Sequence, residues 1–217
     1  MNESTGPRPL RADARKNRER ILEAASAVFA RDGLDASLDM VAAEAGVGVG
    51  TVYRRFPDRQ MLIRELFESK VSSFVELAEE CATVDDPWQG LVQFLTEASR
   101  RQGEDMGFRE IVLGSGATSE MMDIPRQRLA PIINGMIEGA KANGDLREDF
   151  DVLDVPLVEI MLARLNDLTG PVSPDLWERM LTLVIDGMKA DRKAATPMPV
   201  DPIKPVDYIA AISNAGR

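Results

Sequence analysis

An all-α fold is predicted, on three observations. Apolar residues recur only at helical spacing, as in Ile21, Leu22, Ala25, Val28 and Phe29. Residues that cap or stop helices stand at the ends of these periods, among them Ser37, Gly46, Asp58 and Pro87. No strand-like alternation is convincing, and no internal repeat of about 20–50 residues is visible.

The elements follow in order. The first helix carries the Ile21–Phe29 face and stops at Asp32-Gly33. Ser37 caps a short second helix over Leu38–Ala45, with Leu38, Val41, Ala42 and Ala45 inward and Gly46 as its stop. A third short helix runs from about Val49 to Phe56 and breaks at Pro57-Asp58. Asp58 caps a long fourth helix to about Ala82, with a stripe from Leu62 to Ala78. Asp86-Pro87 opens the next, which runs to about Gln102. Phe108 to Leu113 reads as a short helix, and Gly114-Ser115-Gly116 as a break. One helix from Ile124 to Asn143, kinked at Pro131, is expected next. Leu153–Thr169 is helical up to Gly170-Pro171, and a last helix runs from Ser173 or Pro174 to about Ala190. Pro197, Pro199, Pro202 and Pro205 predict an extended tail from Ala194.

The chain has 217 residues, 44% of them hydrophobic and 29% charged, enough to bury a core without disulfides or metals. It has no histidine and one cysteine, Cys81, which excludes a Ser-His-Asp or Cys-His triad and a His- or Cys-rich metal site. No catalytic residue, metal or cofactor is therefore expected. No apolar run approaches the roughly 18 residues of a membrane span, and the N-terminus lacks an apolar leader, so no membrane partner and a cytoplasmic location are expected. Net charge is −10, but residues 1–59 carry ten Lys/Arg against nine Asp/Glu. Six of those cations lie between Arg8 and Arg20, Arg15 among them, against Asp13 and Glu19. A locally basic start on an acidic body points to a small anion-binding module ahead of a larger domain with another task. The expected organisation is 1–59, 60–193 and a Pro-rich 194–217.

Helix, glycine turn, helix is the helix-turn-helix pattern. Val47, Val52 and Phe56 should pack inward, leaving Gly48, Val49, Gly50, Thr51, Tyr53, Arg54 and Arg55 facing out. Small residues at the helix start allow close approach to a groove. A phenol, a hydroxyl and two guanidiniums suit phosphate and base-edge contact with double-stranded DNA. Arg59 sits at a helix N-terminus, where a phosphate is also favoured. The glycines of Gly46-Val-Gly48-Val-Gly50 do not make a dinucleotide loop, because a helix rather than a strand precedes them.

Residues 21–66 resemble the DNA-binding domain of the TetR family of bacterial transcriptional regulators. The matching motifs are Ile-Leu-x-Ala-Ala from Ile21, Phe-Ala-x-x-Gly from Phe29, Val-Ala-x-x-Ala-Gly-Val from Val41, and Gly-Thr-Val-Tyr-x-x-Phe-Pro-x-Arg from Gly50. The resemblance implies an N-terminal three-helix helix-turn-helix domain followed by a larger helical ligand-binding and dimerisation domain. It assigns a cap and phosphate contact to Ser37 and DNA contact to Thr51 and Tyr53, and Arg59 stands where the family usually has Lys. Gly48 replaces the usual Ser cap of the recognition helix, and Arg55 a common His. The implied function is a sequence-specific regulator, most simply a repressor released from a palindromic operator by a small-molecule effector; the alternative is an effector-independent activator or chromosome-organising protein.

The family's effector cavity falls among the middle helices. Trp88, Phe108, Met121, Leu129, Ile133, Met161 and Leu165 are its expected wall, with Arg109, Arg128, Arg164 and Asn166 as polar anchors. Methionine fills irregular gaps and lines adaptable sites. The last two long helices are apolar on broad faces, and two from each of two chains would make a four-helix homodimer interface.

Overall fold

The computed structural model describes residues 8–104, 107, 111, 118–170, 172–190 and 204–205. Within them the elements are α1 (Arg8–Asp32), α2 (Leu38–Ala45), α3 (Val49–Arg55), α4 (Arg59–Cys81), α5 (Pro87–Glu104), α6 (Ser119–Arg128), α7 (Ala130–Ala142), α8 (Asp154–Thr169) and α9 (Leu176–Met188). The only extended pairing among the described residues is an isolated antiparallel bridge between Leu146 and Lys189. Two backbone bonds flank it, Arg147 N–H to Met188 O and Ala190 N–H to Asp145 O, each 2.9 Å. They tie the loop after α7 to the end of α9.

The N-terminal elements form where local chemistry requires. Ser37 Oγ accepts the Met40 N–H at 3.3 Å and Asp58 Oδ1 accepts the Met61 N–H at 2.8 Å, so α2 and α4 each begin with a satisfied cap. Gly46 ends α2 at φ 61°, a left-handed conformation that a side chain would strain. The basic segment before Ile21 is helical: α1 is continuous from Arg8. Two of its cations are used within the fold. Arg18 pairs with Glu65 of α4, and Arg20 donates to Ala45 O at 2.6 Å, clamping the α2–α3 turn onto α1.

The single helix expected over Ile124–Asn143 is two helices. Pro131 has no N–H to give to the Gln127 carbonyl and its ring crowds that turn, so α6 stops at Arg128. Pro131 then falls in the first turn of α7, where a missing N–H costs nothing. Of the short helix expected at Phe108–Leu113, only Ile111 is described; it is helical and buried. The rest of that stretch and the tail, apart from Lys204 and Pro205, lie outside the described residues.

One apolar core runs from Ile21 on α1 to Met188 on α9. Its N-terminal part gathers Phe29, Val52, Phe56, Leu62, Ile63 and Leu66; its C-terminal part is built around α5, which packs on α4, α7, α8 and α9. α4 belongs to both. Its first turns close the core of α1–α3 with Leu62, Ile63 and Leu66, and its later turns send Val71, Phe74 and Ala78 into the larger body. Gly90 lets α5 approach the end of α4 closely: a Cβ there would stand 2.6 Å from the Cys81 carbonyl oxygen.

Candidate nucleic-acid interface and ligand cavity

The face of α3 is set by Val52, buried within it, and Phe56, buried at its C-terminal cap, four residues apart. Gly48, Val49, Gly50, Tyr53, Arg54 and Arg55 are consequently exposed, and Thr51 is half-buried at the edge. Tyr53 keeps 45% of its surface in solvent. Gly48 occupies the cap position of α3 and offers no side-chain acceptor; a Cβ there would meet only Thr51 Oγ1, at 3.8 Å. Ser37, at the start of α2, is exposed as well.

The cations of this face differ in how they are held. Arg55 bonds Glu65 Oε1 at 3.2 Å, the same oxygen that receives Arg18. Arg59 reaches Asp35 at 2.9 Å, and Arg15 pairs loosely with Glu19 at 3.7 Å, one turn on. No ion pair holds Arg54 among the described residues. The Asp39 carboxylate beside Tyr53 raises the phenol above its usual range, with burial and a hydrogen bond to the same carboxylate adding to the effect. The phenol therefore keeps its proton at neutral pH and can donate it. The surface offers hydroxyl donors, guanidiniums and a glycine-lined helix start.

Behind this unit lies a cavity of about 180 Å³. Phe67, Val71 and Phe74 of α4 form one wall, and Phe94, Ala98 and Gln102 of α5 another. Met122, Pro125 and Arg126 of α6, with Leu129 and Ile133 at the α6–α7 break, form a third; Val155, Pro156, Glu159 and Ile160 of α8 complete it, and Pro205 lies against it. Of the residues expected from sequence, Leu129 and Ile133 are on the wall. Trp88, Met121, Arg128, Met161, Arg164 and Leu165 are not: Met121 is buried elsewhere in the core, Arg128 donates to Ser72 Oγ at 3.1 Å, and Met161 is exposed. Arg164 faces out and pairs with Asp167 at 3.7 Å. Phe108 and Arg109 lie outside the described residues. Asn166 Nδ2 donates weakly to Gly103 O at 3.4 Å, a bond between helices.

Glu159 is the polar residue that sequence reading passed over. It is 4% exposed. Ser99 Oγ donates toward its two carboxylate oxygens, at 3.1 and 3.0 Å, and Gln102 Nε2 donates to Oε2 at 3.1 Å. Burial pushes the carboxyl up to about 8, with the Ser99 bond acting in the opposite direction. The signal was in the inward stripe of α8. Val155, Glu159, Leu162 and Ala163 are its buried residues, and a lone acid at that spacing faces the core. Arg164 is five residues from Glu159, about 140° round the helix, which is why the two point apart.

Comparison with known proteins agrees with this arrangement. Residues 21–66 match the family described as bacterial regulatory proteins, tetR family, and residues 86–190 match the C-terminal domain of SbtR-like transcriptional regulators. An HTH-type transcriptional regulator of Staphylococcus aureus is 36% identical over 67 residues, which span 30% of this chain and 36% of that protein. The chain thus matches only about a third of the length of these curated relatives. Among solved structures, a TetR transcriptional regulator of Streptomyces coelicolor is 28% identical, with a TM-score of 0.60 over 81% of this chain and 99% of the other. A TetR transcription regulatory protein of Mycobacterium vanbaalenii is 30% identical, with a TM-score of 0.60 over 83% of this chain and 99% of the other. With the N-terminal motif, the C-terminal domain and the whole-chain likeness all in agreement, the chain belongs to the TetR family of bacterial regulatory proteins.

Proposed function

We propose that the protein is a homodimeric transcriptional repressor whose recognition helices, α3 of each protomer, enter successive major grooves of a near-palindromic operator, and which a small molecule in the cavity releases. The observation that carries this is α4. The same rod supplies Leu62, Ile63 and Leu66 to the core beneath α3 and Phe67, Val71 and Phe74 to the cavity. A ligand that pushes on the cavity wall tilts the element on which the DNA-reading unit rests. Only a ligand with different affinity for the two tilts shifts the balance, and a 100-fold change in occupancy needs about 2.7 kcal/mol of that difference.

Ser37, Gly48, Val49, Gly50, Thr51, Tyr53, Arg54, Arg55 and Arg59 make the DNA contacts in this proposal, with Arg15 reaching phosphate from α1. Arg54 is ready for phosphate, whereas Arg55 and Arg59 exchange Glu65 and Asp35 for it. For the dimer, α8, α9 and the turn between them present a run of exposed apolar residues. Leu168 and Val172 are 80% and 85% exposed, and Leu157, Met161 and Leu183 are exposed too. Apolar surface concentrated on two adjacent elements marks an interaction face.

The test is selection of genomic fragments by the purified chain, followed by gel shift across a salt series. Eight phosphate contacts per dimer should give a slope of about −7 in log affinity against log salt. Retention that is insensitive to sequence and salt would sink the proposal.

A further inference from the structure

The cavity holds one feature that an apolar pocket does not need. Glu159 is buried on its wall, and no cation within ion-pair reach answers it among the described residues. The wall's other charged residue, Arg126 of α6, has its side chain 56% exposed and is bound to Asp123 at 3.0 Å. Ser99 and Gln102 of α5 supply one hydroxyl and one amide donor. A carboxylate accepts about four hydrogen bonds, so part of its capacity is unfilled. A leucine would have completed the apolar surface at this position without that cost.

Resting on the reading of the cavity as the effector site, we propose that its ligand is an apolar molecule carrying a protonated amine, and that the ammonium group seats against Glu159. An ammonium brings donors to the unfilled oxygens and a charge that offsets the one Glu159 takes on when its proton leaves. A carboxylate or phosphate would meet an acid with no cation beside it. A hydrocarbon without donors would leave Glu159 as it stands. About 180 Å³ is more than the roughly 150 Å³ apolar cavity that admits benzene, so an aromatic ring with a short chain is a fitting size. Binding the cation expels the proton that burial holds on Glu159. Affinity should therefore climb with pH, by up to about tenfold per unit below the point where the free acid ionises, and then level off.

Three probes of matched shape test this on the full chain by titration calorimetry: 4-phenylbutylamine, 4-phenyl-1-butanol and 4-phenylbutyrate, at about pH 6, 7 and 8. The expected result is amine binding at least about tenfold tighter than alcohol at pH 8, the carboxylate weakest, and a pH climb for the amine alone. Glu159→Gln should lose both the preference and the climb. Alcohol or carboxylate binding as tightly as the amine, no amine binding at millimolar concentration, or a Glu159→Gln protein that keeps the preference each overturns the proposal. The three-probe comparison on the unaltered chain decides the matter even where the variant does not fold. Amine binding without weakening of the DNA complex keeps this assignment and removes the effector role; DNA release by the alcohol but not the amine does the reverse.

Discussion

Gly107 sits against the backbone of Ser26 on α1 so closely that a Cβ would stand 2.7 Å from the Ser26 Cα. Gly107 is buried, and apart from α4 it is a second place where the larger body touches the DNA-reading unit. Gly107→Ala must push the two apart. We expect a stability loss of about 1–3 kcal/mol, the usual cost of overpacking, together with altered operator affinity. Chemical denaturation and gel shift measure both; an unchanged midpoint would show that the joint yields freely.

Glu65 holds Arg18 and Arg55 on one oxygen. Glu65→Ala should free Arg18 for phosphate and spare Arg55, already among the proposed contacts, its exchange. Non-specific DNA affinity should rise, and the salt slope should steepen by about 1–2 units, while the fold loses up to about 1 kcal/mol. Filter binding across a salt series reads the slope, and a flatter one contradicts the role given to Arg55.

Two glycines at the start of α3 should separate stability from binding. Gly48→Ser should restore a side-chain cap and gain a few tenths of a kcal/mol, since the added Cβ has room. Gly50→Ala, at an exposed helical position with nothing within 4 Å, should gain about 0.5–1 kcal/mol yet weaken operator binding by blocking close approach. A Gly50→Ala protein that binds DNA unimpaired would move the contact face away from Gly50.

The buried acid makes stability depend on pH. Glu159 ionises at about 8 in the folded chain against 4.5 for its ordinary value. The unfolded chain releases that proton first. The stabilising difference is complete below 4.5 and is lost as pH rises from there to about 8, by at most about 1.4 kcal/mol per unit. Glu159→Gln should flatten melting temperature against pH in that window and melt higher than the parent at pH 8.5. The difference between the two proteins isolates Glu159 from Asp154, whose carboxyl burial also raises. Parallel curves would mean that the acid stays solvated.

Leu168→Glu and Leu183→Glu place charge on the exposed apolar face of α8 and α9. Light scattering should report a monomer, and operator affinity should fall because only one recognition helix then engages. Retention of a dimer by both variants would place the interface elsewhere.

Most of the N-terminal unit was readable from sequence because its signals are local. A cap such as Ser37, a stop such as Gly46 and a four-residue apolar spacing such as Val52–Phe56 act within one or two turns. The cavity was not readable to the same degree. Which of Met121, Leu129 and Met161 faces a void depends on how four helices cross, and no period encodes that. Leu129 reached the wall because Pro131 broke the helix beside it, and Met161 was expected inward although it lies two residues from Glu159, about 200° round the helix. Glu159 was missed because charge was weighed by type, without asking which face of α8 it occupied.

The dual membership of α4 constrains how such proteins can be cut and recombined. Ending a fragment at Arg59 would uncover Phe56 and Val52 to water, and starting one at Gln60 would strand Leu62, Ile63 and Leu66 with nothing to cover them. A working chimera has to be spliced inside that rod, between Leu66 and Phe67, where one set of partners ends and the next begins.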